Sequence, residues 1–135
     1  MVKIICGTKG SGKTKKIIDE ANAAVTGAKG HLMFITDTKR YMYDLKREIR
    51  FIDATEYNVA GEEALCGFIK GAIAGGYDNE YVYIDGLARI AGQELKDMAQ
   101  TFYMIDKVSE TRGLQSVLSC SCAQEELPDL VKKYL

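Results

Sequence analysis

The chain has 135 residues, 47% of them apolar and 27% charged, with a net charge of −1. That length fits one domain spanning residues 1–135, and the composition is that of a globular chain with its own core. Near-neutral charge gives no strong pull towards nucleic acid, no run of about 18 apolar residues offers a membrane span, and no leader precedes the first strand, so a cytoplasmic location is expected.

Val2-Lys3-Ile4-Ile5-Cys6 reads as a short buried strand. It runs into Gly7-Thr8-Lys9-Gly10-Ser11-Gly12-Lys13-Thr14, which fits the spacing G-x-x-x-x-G-K-[ST]. The chemistry of that spacing is phosphate binding. Its glycines let successive backbone N–H groups turn inward without a Cβ in the way. Lys13 can reach β- and γ-phosphates, the Thr14 hydroxyl can ligate Mg²⁺, and Thr8, Lys9 and Ser11 complete the cradle. Ile17, Ile18, Ala21, Ala24 and Val25 then recur at helical spacing, so a helix begins where the loop ends. Its N-terminus adds positive partial charge to the anion site.

Thr26-Gly27-Ala28-Lys29-Gly30 stops that helix, and His31–Thr36 is an apolar run of strand length. Tyr41–Ile49 reads as a short helix with Met42, Leu45 and Ile49 inward, followed by a weaker strand, Arg50–Ala54. A loop over 55–60 leads to a helix over 61–74 with the stripe Leu65, Phe68, Ile69, Ala72 and Ile73, ended by Gly75-Gly76. Glu80–Asp85 is a β-rich run ending in a carboxylate, and Gly86–Gly92 is a connection. The longest helix is expected over Gln93–Arg112, with Leu95, Met98, Ala99, Phe102, Ile105 and Val108 on one face and Gly113 as its cap. Leu114–Cys120 forms the last strand, and Pro128 opens a short closing helix to Leu135. Alternating strands and helices predict an α/β three-layer sandwich on a mainly parallel sheet of about five strands. Ligands of such sheets bind at the carboxyl ends of the strands, where Gly7, Asp37, Asp85 and Ser121 converge.

Cys6, Cys66, Cys120 and Cys122 show no C-x-x-C spacing and no accompanying histidines, so buried thiols are expected rather than a zinc site. His31, the one histidine, has no second ligand near it in sequence. Tyr81 and Tyr83 share one face of their strand and read as core, whereas Tyr41 and Tyr43 follow a polar loop and are candidates for stacking on a base. Lys9, Arg40, Arg89 and Arg112 are cations that could serve a phosphate, with solvated surface roles the commoner fate.

Gly7–Thr14, together with the hydrophobic strand Tyr81-Val82-Tyr83-Ile84-Asp85, resembles the Walker A and Walker B motifs of the P-loop NTPase superfamily. The resemblance implies a RecA-like or thymidine-kinase-like strand arrangement, with Asp85 and Thr14 holding the Mg²⁺ of bound ATP and Lys13 and Asp85 as the catalytic pair. It also implies that Ser121, at the end of the last strand, senses the γ-phosphate if that strand lies between the two motif strands. The rival carboxylates Asp37 and Asp53 also follow apolar runs. Gly86 stands where related ATPases carry a catalytic Glu, which argues against fast unassisted hydrolysis. No N-K-x-D motif for guanine follows, so ATP is favoured over GTP. Gly10–Thr14 is also similar to the loop of twitching-motility retraction ATPases, but their further domain and histidine motifs have no counterpart here.

The expected function is therefore ATP–Mg²⁺ binding with weak intrinsic ATPase activity, raised by a partner that supplies an Arg or Glu in trans. Two alternatives stand beside it: a small-molecule kinase of nucleoside type, and a nucleotide-regulated binding module without turnover. A protein partner or a second copy of the chain is compatible with any of these.

Overall fold

In the computed structural model, which describes residues 1–135, the alternating pattern becomes one sheet of five parallel strands. They are β1 (Val2–Gly7), β2 (His31–Thr36), β3 (Ile49–Asp53), β4 (Asn79–Asp85) and β5 (Gln115–Ser121), in the order β1-β5-β4-β2-β3. The central strands read as continuous apolar runs because both of their faces are covered. In β2, Phe34 joins the core on one side of the sheet, while Met33 and Ile35 join the core on the other.

Helix α1 (Lys13–Gly27) covers the first side. Its Ile17, Ile18 and Ala21 cluster with Ile5, Leu32, Phe34, Tyr83 and Val117. Helices α2 (Glu62–Ala74), α3 (Leu87–Ala91) and α4 (Ala99–Arg112) supply the second side, where Leu65, Ile69, Leu87, Phe102 and Ile105 join Ile4, Met33, Ile84 and Leu118. This second cluster has 26 buried residues against 10 for the first. Burial of each large apolar side chain contributes about 1.5–3 kcal/mol, so the α2–α4 side supplies most of the hydrophobic stabilisation. The result is three layers, helix on sheet on helix, as the alternating pattern predicts.

Three local expectations need correction. Tyr41–Ile49 is not a helix; it holds a single 3₁₀ turn, Met42–Asp44, after which Leu45 is extended. Asn22 of α1 accounts for this. Its amide donates to Asp44 O at 2.9 Å and its carbonyl oxygen accepts from Lys46 N at 2.8 Å, so partners that a helical ladder would provide come from across the chain. Leu45 and Ile49 are buried as expected, but Ile49 opens β3. Gly86–Gly92, expected as a plain connection, encloses α3 between two glycines in the left-handed region. The long helix accordingly starts at Ala99 rather than Gln93: a 3₁₀ turn, Leu95–Asp97, intervenes, and Ala99 is exposed. Gly113 does end α4, at φ 66° with its N–H on Ser109 O. After Pro128 the closing segment is a 3₁₀ helix, Asp129–Tyr134, with Val131 buried. No helix is long and apolar enough to cross a membrane.

The chain leaves β2 towards β3 but leaves β4 towards β5, so the direction of winding reverses between the adjacent strands β2 and β4. In open parallel sheets a crevice forms at such a reversal, beyond the carboxyl ends of the strands.

Candidate functional site

The glycine loop leaves β1 at that carboxyl edge. Gly10 (φ 84°) and Gly12 (φ 86°) both occupy the left-handed region, where a side chain would be strained. Gly7 is closely approached: a Cβ there would strike the Ser11 hydroxyl. Of the amides from Lys9 to Thr14, only that of Ser11 meets a backbone acceptor, Thr8 O at 3.1 Å. Gly10, Gly12, Lys13 and Thr14 therefore present free N–H groups, the last two at the N-terminus of α1, where the helix dipole favours an anion.

Lys13 is only 8% exposed, yet its ammonium forms no ion pair. Its one hydrogen bond in the protein is a long one to Thr8 O, at 3.5 Å. A buried cation is costly unless an anion or several acceptors compensate it, so the loop combines free donors with an uncompensated positive charge.

Asp85, at the end of β4, is 1% exposed and is held by the neighbouring strand β5. The register pairs Asp85 with Ser119, whose hydroxyl donates to Asp85 Oδ1 at 2.5 Å. The Ser119 oxygen in turn accepts from Gly86 N at 2.9 Å. This relay orients the carboxylate. Thr14 Oγ1 lies 3.3 Å from Oδ2 and 3.4 Å from Oδ1 of Asp85, so the first turn of α1 and the end of β4 bring two hard oxygen donors together. Such a pair suits Mg²⁺, which takes few protein oxygens and keeps several waters.

Asp85 Oδ2 also faces Arg89, one turn further on in α3. Its Nη2 is 3.6 Å from Asp85 Oδ2. Two hydrogen bonds fix the guanidinium to Asp37, just beyond β2: Nε to Oδ2 at 3.1 Å and Nη2 to Oδ1 at 3.2 Å. The pairing with Asp37 chiefly, with the charge of Asp85 adding to it, pushes the Arg89 pKa further up against partial burial. Gly86 makes the arrangement possible. It adopts φ 82°, and a Cβ on it would collide with the Arg89 guanidinium.

Gly7, Asp37, Asp85 and Ser121 thus all lie at the carboxyl edge, but they do not share one contact. Strand β5 does run between β1 and β4. Ser121 is exposed beside Gly7 in the register, and Ser119 is the serine that reaches Asp85. Asp53 is committed elsewhere, accepting from Thr55 N at 3.0 Å and Thr55 Oγ1 at 2.6 Å. Of the two serines at the end of β5, the sequence favours Ser121 but the structure selects Ser119, and Arg89, a cation for which a solvated surface role is the commoner fate, is bound to Asp37. The available signal was the spacing Asp85–Arg89, one helical turn across a glycine.

Three of the four thiols sit behind the loop, and Cys66 lies apart in α2. Cys6 and Cys120 are register partners, Cys122 forms a bridge with Gly7, and all four cysteines are free. Burial pushes the Cys120 thiol up to about 12, with Cys122 and Cys6 adding to the effect and Lys13 opposing it. Tyr83 is buried under α1, as expected for a core position, whereas Tyr81, which stacks on it at 6.0 Å, is only partly buried. Tyr43 is 90% exposed, and Arg40 lies over the Tyr41 ring at 5.5 Å.

Comparison of the chain with protein-family models and with curated proteins gave no match.

Proposed function

We propose that this chain binds ATP–Mg²⁺ in the manner of a P-loop NTPase and turns it over slowly on its own. The observation that carries the reading is Lys13: a nearly buried side chain whose ammonium has no anionic partner, beside a glycine loop in which the amides of Gly10, Gly12, Lys13 and Thr14 are free. A polyphosphate would satisfy both. Thr14 and Asp85 would hold the cation, which would supply charge neutralisation to the phosphates. The position of β5 between β1 and β4 supports the RecA-like version of the fold.

Slow turnover is supported by the carboxylates near the site. Asp85 is the cation ligand in this reading, and Asp37 is engaged by Arg89. The residue after Asp85 is a glycine, so no side chain there can orient an attacking water. A partner contributing a base or a second cation in trans would raise the rate.

Calorimetric titration of the whole chain with ATP–Mg²⁺ tests the proposal. Lys13→Ala should weaken binding by about a hundredfold, close to 2.8 kcal/mol, while leaving the unliganded melting temperature near that of the parent. An unchanged titration curve would refute phosphate binding at this loop.

A further inference from the structure

The proposed function assigns no task to Arg89. Its guanidinium carries five N–H donors and spends two on Asp37. The Nη2–Asp85 Oδ2 distance of 3.6 Å is too long for a hydrogen bond, so Asp85 attracts the group without fixing it. Asp37 is the anchor. Arg89 therefore keeps its place when Asp85 serves a cation, and its remaining donors stay free beside the Thr14–Asp85 pair. The side chain is 44% exposed, enough for a ligand to reach it.

The glycine behind it points the same way. Gly86 is held at φ 82° with the guanidinium packed where its side chain would be. The space that a side chain after Asp85 would fill is taken by the only arginine in contact with that carboxylate. The contacts run from Thr14, at the end of the loop, through Asp85 Oδ2 to Arg89. A diphosphate satisfied by the loop amides and Lys13 would leave Arg89 idle; a third phosphoryl group beside the cation held by Thr14 and Asp85 would come within its reach.

We infer that Arg89, braced by Asp37, is the specificity-determining residue that distinguishes a nucleoside triphosphate from a diphosphate. The inference rests on the proposal of nucleotide binding and deepens it. Arginine suits the task because its planar fork offers paired donors to phosphate oxygens while a second edge stays on a carboxylate.

The test compares ATP–Mg²⁺ with ADP–Mg²⁺ by calorimetric titration of the full chain. The parent should prefer ATP. Arg89→Ala should lose about tenfold or more in affinity for ATP and less than about twofold for ADP, as expected for one charge-assisted contact. Arg89→Lys should recover part of the preference, since the charge stays and the fork is lost. Asp37→Asn, which leaves Arg89 in the chain but loosens its anchor, should reduce the preference to an intermediate value and guards against misfolding of the alanine variant. Equal losses for both nucleotides would mark Arg89 as merely structural and overturn the inference, as would an unchanged preference. Those outcomes leave ATP binding intact. A parent chain that binds neither nucleotide overturns both this inference and the proposed function.

Discussion

Asp85 has more neighbours than a strand-end carboxylate needs: Ser119 on the adjacent strand, Thr14 in the first turn of α1 and Arg89 in α3. Burial makes each of these matter, because an ionised oxygen without a partner is expensive in a low-dielectric setting. Ser119→Ala would leave both Asp85 Oδ1 and Gly86 N–H without their buried partner. A loss of about 1–3 kcal/mol in unfolding free energy is expected. Urea denaturation measures it; a midpoint within error of the parent would show that the relay contributes nothing. The residues of this site differ in how well the sequence displays them. Lys13 and Thr14 are legible because their spacing within one loop is itself the chemical requirement. Arg89 is not, because its anchoring partner Asp37 lies 52 positions away. Ser119 and Ser121 share a strand face by alternation, and only the register with β4 selects Ser119.

At the scale of elements, helix ends governed by glycine are easy to read, and helix starts governed by tertiary contacts are not. Gly113 stops α4 through its own backbone geometry. By contrast, Met98 at the head of α4 has no capping side chain, and the missing acceptor comes from α2. Glu62 Oε2 accepts from Thr101 N at 3.0 Å and from Thr101 Oγ1 at 2.8 Å. A carboxylate there serves two helices, since Glu62 also lies in the first turn of α2, where the dipole favours negative charge. The same logic explains the failed helix over 41–49: its apolar spacing is real, but Asn22 of α1 competes for the backbone. Glu62→Ala should therefore cost about 1–2 kcal/mol, a capping loss between two helices rather than within one, and Glu62→Gln should recover part of it. Chemical denaturation of the three proteins decides this. Equal stability of Glu62→Ala and the parent would mean that α4 starts without help.

Across the whole molecule, the α/β class and the parallel sheet were legible because apolar runs of strand length alternate with helical stripes, and both features arise from burial on two faces. The insertion of β5 between β1 and β4 was not legible, since strand order depends on contacts far apart in sequence. That insertion sets Cys120 against Cys6 beneath the glycine loop and closes it off from water. It has a measurable consequence at alkaline pH. The Cys120 thiol rises from an ordinary value of 9.0 to about 12 in the folded chain, mainly through burial. Between those limits the unfolded chain releases a proton that the folded chain retains, so stability is fully present below about pH 9 and falls as pH rises towards about 12. The slope for one such group is about 1.4 kcal/mol per pH unit. Burial also raises the Tyr83 phenol, with Tyr81 and Glu20 adding to it, so a second loss begins above its ordinary value of 10.0. Comparison with Cys120→Ala separates the two. In urea titrations under reducing conditions from pH 8 upward, the parent should lose stability relative to Cys120→Ala at about 1.4 kcal/mol per pH unit once past pH 9. A stability difference that stays constant across that range would mean that the thiol ionises as readily in the folded protein as in the unfolded one, and that β5 does not seal the base of the loop.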